Sequence, residues 1–239
     1  MIRRHPLLAA FTAIYCAGFM IFTLARGNTE FVFYFAVMLA LIGLVLWADL
    51  RARLPATVLW MLSIWGLLHM AGGNVPIPVS GIGFGAVAEE GEAATVLYNL
   101  WLLPGRTLKY DQLVHAYGFF TATLTCWCVL RRFLGSNGSR PSLALFVITA
   151  CAGMGLGATN EIVEYIATLL GPTNVGGYQN NAQDLVFNAI GAVTAAMTAS
   201  LALSRHGTTD LRRADIASGL VATVIAAILV GLVLARATA

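Results

Sequence analysis

The sequence predicts an all-α protein, a polytopic transmembrane helical bundle of about seven spans that forms a single membrane domain over residues 1–239. Two observations lead to this prediction. Apolar residues make up 59% of the 239 residues and charged residues 10%, whereas a soluble domain has about 25% charged residues. The apolar residues also fall into runs of near 20 residues, the length that an α-helix needs to cross a bilayer. This composition excludes a soluble, disordered, collagen-like, coiled-coil or disulfide-scaffold protein.

The predicted spans follow these runs in chain order. The first run follows Arg3 and Arg4, as a signal peptide would, but it is too long and has no small-residue cleavage site. We therefore expect it to be an uncleaved span. The seven spans cover about 7–25, 31–48, 55–71, 111–130, 143–170, 184–204 and 216–235.

The charged residues in the connectors predict the orientation of the chain. Alternate connectors, beginning with the N-terminus, contain ten Lys and Arg residues, and the opposite set contains four. Because positive connectors stay in the cytoplasm, we expect a cytoplasmic N-terminus in the bacterial inner membrane. The same distribution explains the net charge of +3 without a nucleic-acid partner. The partner that the composition implies is the lipid bilayer.

Two segments on the expected outer side differ from the short connectors. Residues 72–110 form a long loop that is rich in glycine and glutamate and contains an apolar stretch at 96–103. A loop of this length is typical of a lid, a re-entrant segment or an interfacial helix. Residues 171–183 are rich in Gly and Asn and uncharged, which is typical of an ordered turn.

Six ionisable residues lie in or at the ends of the predicted spans. Each costs about 2.5–3.5 kcal/mol to insert at the centre of a span, so they are candidates for function. With the predicted topology all six fall in the outer half of four consecutive spans, which favours one cluster. These residues are His69, Asp111, His115, Glu161, Glu164 and Asp184.

The spacing of these residues predicts a metal site. Asp111 and His115 are four residues apart, and Glu161 and Glu164 are three apart, so each pair shares one face of a helix. Imidazole with several carboxylates is a ligand set for zinc, manganese or iron. A cation would also relieve the repulsion between the carboxylates. Asn160, Asn188, Tyr110 and Tyr165 are the expected supporting hydrogen-bond donors.

Each residue also has a structural interpretation. His69 precedes two glycines and is consistent with a helix end, and Asp111 is consistent with an N-cap. The Asp111–His115 pair and Asp184 with Asn188 are also consistent with hydrogen bonds that hold spans together. The motif Gly153-x-x-x-Gly157 predicts a close helix contact. The four cysteines lie in apolar runs, and we expect no role for them.

Four sequence segments resemble a known family. LLHMAGG (67–73), KYDQLVHAYGFF (109–120), TNEIVEY (159–165) and QDLVFNAIGA (183–192) are similar to the YjdF-like family of bacterial inner-membrane proteins. The skeleton Asp-x-x-x-His, a later Glu and Asp-x-x-x-Asn also resembles the broader VanZ-like group. The resemblance covers about residues 60–200. It implies a common polar site at the six ionisable residues and Asn188, without an established reaction. Relatives usually have a further aspartate where this chain has Asn180 and Asn181.

Three functions remain open on the sequence. The first is a metal-dependent hydrolase of a lipid or cell-envelope substrate, in which Glu161 or Glu164 is the general base; a two-iron oxidase is a variant. The second is a proton- or cation-coupled transporter, although such proteins usually have internal repeats and a site near the midplane. The third is an accessory subunit of a membrane complex, in which the polar cluster is structural.

Overall fold

The computed structural model describes residues 4–80, 83–87, 93–135, 142–206 and 213–237, and these ranges form seven α-helices and one small sheet. Six helices, α1 to α6, are long and apolar enough to cross a membrane. Large apolar side chains such as Leu7, Ile14 and Leu50 are exposed on their outer faces, where a membrane protein contacts lipid. The predicted all-α transmembrane bundle is confirmed. The helices are α1 Pro6–Ala25, α2 Thr29–Ala52, α3 Ala56–Asn74, α4 Tyr110–Leu134, α5 Leu143–Leu170, α6 Tyr178–His206 and α7 Arg213–Ala237.

The seventh predicted span corresponds to α7, a helix of 25 residues. This helix packs against α4 and α6 in the bundle. Thr223 and Thr194 of α6 are joined by a hydrogen bond of 2.7 Å between their hydroxyls, and Ala227 packs in a buried cluster with Ala116 of α4.

Local sequence signals place the starts of the helices. The Asn28 side chain caps α2 by accepting from the backbone N–H of Phe31 at 3.2 Å, and Ser142 caps α5 from Leu145 at 3.0 Å. Helix α4 begins after Lys109, whose backbone N–H donates to the Gln112 side chain at 3.0 Å. Lys109 is therefore the N-cap of α4, and Asp111 lies in the first turn with its carboxylate free for other contacts.

Helix α4 is the centre of the bundle and contacts α2, α3, α5, α6 and α7. Its contact with α6 is close because Gly191 has no side chain. A Cβ atom there would lie against the carbonyl oxygen of Ala116 and 2.7 Å from the backbone nitrogen of Phe120. Gly153 and Gly157 of α5 likewise face Thr123 of α4 and Asn188 of α6, which confirms the predicted small-residue contact.

The described parts of the segment between α3 and α4, called the cap below, pack on these two helices. Strands β1 (Pro76–Pro78) and β2 (Ala94–Val96) pair antiparallel, with Ile77 opposite Thr95. The apolar stretch at 96–103 forms a 3-10 turn over Leu97–Asn99 and an extended part. Of the three alternatives given for this loop, an interfacial helix is not found at these residues. The glutamates and part of the glycines noted in this loop lie outside the described residues.

Candidate functional site

Three helices bring five of the six predicted residues together at one end of the bundle. Helix α4 contributes Asp111 and His115 near its start, and α5 contributes Glu161 and Glu164 in its last third. Helix α6 contributes Asp184, six residues after its start, rather than at the start as predicted. Because α4 and α6 begin at the end of the bundle where α5 terminates, these five side chains converge. The predicted His/carboxylate cluster exists in the structure.

His115 lies at the centre of the cluster. Its Nε2 atom is 3.5 Å from Asp111 Oδ1 and 3.7 Å from Glu164 Oε1. Its Nδ1 atom is 3.6 Å from Glu161 Oε1. The imidazole is buried and thus has carboxylate oxygens near both ring nitrogens.

The hydrogen bonds of Asn188 favour a proton on Nδ1 of His115. The Asn188 side chain donates from Nδ2 to Glu161 Oε1 at 2.9 Å, which leaves its Oδ1 facing His115 Nδ1 at 2.8 Å. An amide oxygen only accepts hydrogen bonds, so Nδ1 is the donor. In the neutral imidazole the lone pair is then on Nε2, which faces Asp111 and Glu164.

Asp184 is held by an amide and retains one free oxygen. Its Oδ2 accepts from Asn180 Nδ2 at 2.5 Å. Its Oδ1 is fully buried and has no hydrogen-bond partner among the described residues. The Lys109 ammonium donates to Asn180 Oδ1 and lies 4.0 Å from Asp111 Oδ2. A buried, ionised carboxylate oxygen without a donor is unfavourable, and protonation of the carboxyl or a bound cation relieves this cost.

The two glutamates differ in their hydrogen bonds. Both oxygens of Glu161 are occupied, by Asn188 and, at 3.0 Å, by Asn181 Nδ2. Glu164 accepts one hydrogen bond, from Asn160 at 2.7 Å. The Glu164 side chain is 14% exposed, whereas that of Glu161 is 6% exposed. Glu161 is therefore fixed, and Glu164 lies at the more open side of the cluster.

The donor atoms fit a divalent metal. One ligand atom from each of Asp111, His115 and Asp184 lies within 4.8 Å of the others, and the same holds for His115, Glu161 and Glu164. Ligands about 2.1 Å from a tetrahedral metal lie about 3.4 Å apart, close to the 3.5 Å between His115 Nε2 and Asp111 Oδ1. When ionised, the four carboxylates exceed the single positive charge of Lys109, and a divalent cation would remove most of the excess.

His69 lies beside the cluster but belongs to neither ligand group. Its Nδ1 is hydrogen-bonded to the hydroxyl of Tyr98, and its ring is 5.7 Å from that of Phe31 and 5.6 Å from that of Tyr34, between centroids. Burial and the charges of Asp111 and Glu164 raise the pKa of Tyr98 well above its ordinary value. Tyr98, which lies in the cap, is thus close to the carboxylates.

The supporting residues were predicted in part. Asn160 and Asn188 contact the cluster as expected. The hydroxyl of Tyr110 instead donates to the carbonyl of Leu68 at 3.1 Å, and Tyr165 is exposed on the outside of α5. The structure corrects both tyrosine assignments. Each tyrosine is next to a cluster residue in the sequence, but its side chain lies on another face of its helix.

Several contacts of the cluster were not predicted. Asn180 and Asn181 were noted only as departures from the resemblance, and Lys109 only as a connector charge. The polar run YQNNAQ at 178–183 was the signal that could have indicated these contacts. If this run continues the helix that contains Asp184, its amides lie near the cluster. In the same run, Gln183 accepts from Gln112 of α4 at 3.0 Å.

Comparison with known proteins identifies the family of the chain. Residues 7–205 match a family described as "Predicted membrane protein (DUF2238)", a range that begins in α1 and ends in α6 and contains the whole cluster. No curated protein and no solved structure matches the chain. The resemblance to YjdF-like proteins is consistent with this match, and that to the VanZ-like group stays a prediction. Because the match covers most of the chain, this protein belongs to the DUF2238 family of predicted membrane proteins.

Proposed function

We propose that the His/carboxylate cluster binds a divalent metal (zinc, manganese or iron) and that the protein is a metal-dependent hydrolase of a lipid or cell-envelope substrate. One observation supports the metal most directly. Asn188 orients the His115 imidazole so that its Nε2 faces Asp111 and Glu164, at separations close to those of ligands around a metal. The buried Asp184 Oδ1, which has no hydrogen-bond donor among the described residues, also supports a cation at this position.

In this proposal the residues divide into ligands and a base. Asp111, His115 and Asp184 form one ligand group, and Asp184 contributes its free oxygen. When bound, the metal would lower the pKa of a coordinated water. Glu164 is beside this group, accepts one hydrogen bond and is partly exposed, so it is the better placed general base. Glu161 holds Asn188, and through it orients His115.

The position of the cluster supports a membrane substrate. It lies near the starts of α4 and α6, and Asp111 and Glu164 keep 15% and 14% of their side-chain surface exposed. With the orientation that the connector charges predict, this end faces outward from the bacterial inner membrane. The headgroup region at that side contains lipids and lipid-linked precursors. A transporter would usually place such a site nearer the midplane.

Metal content tests the first half of the proposal. The detergent-purified full chain is measured by plasma mass spectrometry after exposure to zinc, manganese or iron and gel filtration. We expect about one metal per chain in the wild type, and in the control His5→Ala at the start of α1. His115→Ala should lose it. A folded wild type that retains none of the three metals would contradict the proposal.

Turnover tests the second half. The metal-loaded protein in lipid nanodiscs is incubated with a total lipid extract of a bacterial envelope, and cleaved products are identified by mass spectrometry. We expect Glu164→Gln to keep its metal but to be slower by about 100-fold or more, because it removes the base. A metal-loaded wild type that cleaves nothing in the extract would leave a metal site without the proposed hydrolysis.

A further inference from the structure

His69 lies in a pocket of aromatic side chains. The rings of Phe31, Tyr34 and Tyr98 surround its imidazole, with centroids 5.6–5.8 Å away. Gly72 and Gly73, which follow His69, leave space for the aromatic rings of this pocket. A Cβ atom at Gly72 would collide with the Tyr98 ring, and one at Gly73 would collide with the Phe31 ring. The side chain of His69 is therefore fixed by packing as well as by its hydrogen bond.

The Tyr98 contact favours one tautomer of His69. A phenol has an ordinary pKa of about 10 and is protonated at neutral pH. The Tyr98 hydroxyl has His69 Nδ1 as its hydrogen-bond partner among the described residues. If Tyr98 donates this bond, Nδ1 is the acceptor, and a neutral imidazole carries its proton on Nε2. His69 then has no lone pair on its free nitrogen and offers a donor instead.

We propose that His69 is a hydrogen-bond donor of the site, rather than a metal ligand, and that its Nε2–H binds an electronegative oxygen of the substrate. Tyr98 is the positioning residue that fixes this tautomer. The use of the donor on a substrate rests on the proposed hydrolase, whereas the tautomer does not. A carbonyl or phosphoryl oxygen next to the metal is the acceptor that this arrangement suits.

The neighbourhood of His69 supports a ligand on this side of the cluster. The carbonyl of Leu68, which precedes His69, accepts from the hydroxyl of Tyr110 at 3.1 Å, next to Asp111. The hydrogen bond of His69 uses Nδ1, and its Nε2 has no hydrogen-bond partner among the described residues. The hydroxyl of Tyr34, whose ring contacts His69, is fully buried and is likewise unpartnered within the described ranges. An oxygen atom of a bound substrate would satisfy the Nε2–H donor of His69, which the protein itself leaves unpaired.

Nitrogen NMR tests the tautomer without any assay of activity. In the full chain labelled with ¹⁵N-histidine, four histidines contribute, and His69→Gln and His115→Ala assign two of them. We expect opposite tautomers, with the proton on Nε2 of His69 and on Nδ1 of His115. Tyr98→Phe should convert His69 to a tautomer mixture. The control Tyr110→Phe, whose hydroxyl bonds Leu68 instead, should leave His69 unchanged. A proton on Nδ1 of His69 in the wild type would overturn the proposal.

Metal retention and turnover test the role of His69. The His69→Gln variant should retain as much metal as the wild type and turn over about 100-fold more slowly, as expected for the loss of one oriented donor. Loss of metal equal to that of His115→Ala would identify His69 as a ligand and contradict the proposal. Wild-type turnover by metal-loaded His69→Gln would also contradict it. A wild type without metal refutes the hydrolase instead, while the NMR result still decides the tautomer.

Discussion

Asn188 is the residue on which the orientation of the cluster depends most. Its amide accepts from His115 and donates to Glu161, so one side chain fixes both the tautomer of the histidine and the position of a carboxylate. Asn188 is itself buried, and Gly157 of α5 lies directly against it. A hydrophobic residue could fill the same space but could not provide the two hydrogen bonds.

We expect Asn188→Ala to weaken metal binding by about 10- to 100-fold, because the partner that orients a ligating histidine is lost. The measurement is competition with a fluorescent chelator in detergent. Asn99→Ala is the matched control, since Asn99 bonds Thr95 within the cap and should bind metal as the wild type does. Unchanged affinity in a folded Asn188→Ala variant would mean that Asn188 does not orient the ligand.

The sequence predicts the contacts of a residue only along its own helix. The spacing of Asp111 and His115 placed them on one face, and the structure brings them to 3.5 Å. The contact of Lys109 with Asn180, 71 residues away, follows from how α4 packs on α6, which spacing does not determine. Tyr98 is in a non-helical segment, where no periodic signal indicates the direction of a side chain.

At the scale of elements, α5 was predicted with its observed bounds and α6 was not. Helix α6 begins at Tyr178, whereas the prediction placed its start near residue 184. The prediction missed the first turns because they are polar and give no hydropathy signal. Those turns are helical in the structure since Asn180, Asn181 and Gln183 have partners inside the bundle. Local polarity thus masked a helix start that tertiary contacts stabilise.

The contact between α4 and α6 gives a prediction for helix packing. Gly191→Ala places a Cβ atom against the backbone of α4, and we expect a loss of about 1–3 kcal/mol in the free energy of unfolding through overpacking. Metal affinity should fall as well, because Asp111 and Asp184 are on the two helices that would separate.

Gly155→Ala is the matched control for this change. Outside the backbone of α5 itself, no atom of the described residues lies within 4 Å of the Cβ position at Gly155, on the exposed face of the helix. We therefore expect the stability of this variant to stay within about 1 kcal/mol of the wild type. Thermal unfolding in detergent, followed by circular dichroism, compares the two variants. Equal midpoints for both would contradict the assigned close contact.

At the scale of the whole molecule, the site prediction rested mainly on the alternating direction of consecutive spans. The ends of consecutive spans alternate between the two sides of the membrane, so residues near the end of α5 and the starts of α4 and α6 share one side. This argument needs no knowledge of packing, and the cluster follows it. It placed His69 at the same end as well, but it could not distinguish a ligand from a neighbour.

The orientation of the bundle in the membrane remains to be tested with a pair of cysteines. Tyr178 is exposed at the start of α6, near the cluster, and Arg51 is exposed at the opposite end, in the last turn of α2. Because the ends with most Lys and Arg stay in the cytoplasm, we expect a membrane-impermeant maleimide to label Tyr178→Cys in intact spheroplasts and Arg51→Cys only after lysis. The wild type, whose cysteines all lie in α1, α4 and α5, gives the background. Labelling in the reverse order would place the cluster on the cytoplasmic side and remove the outer-leaflet substrate from the proposal, while leaving the metal site itself intact.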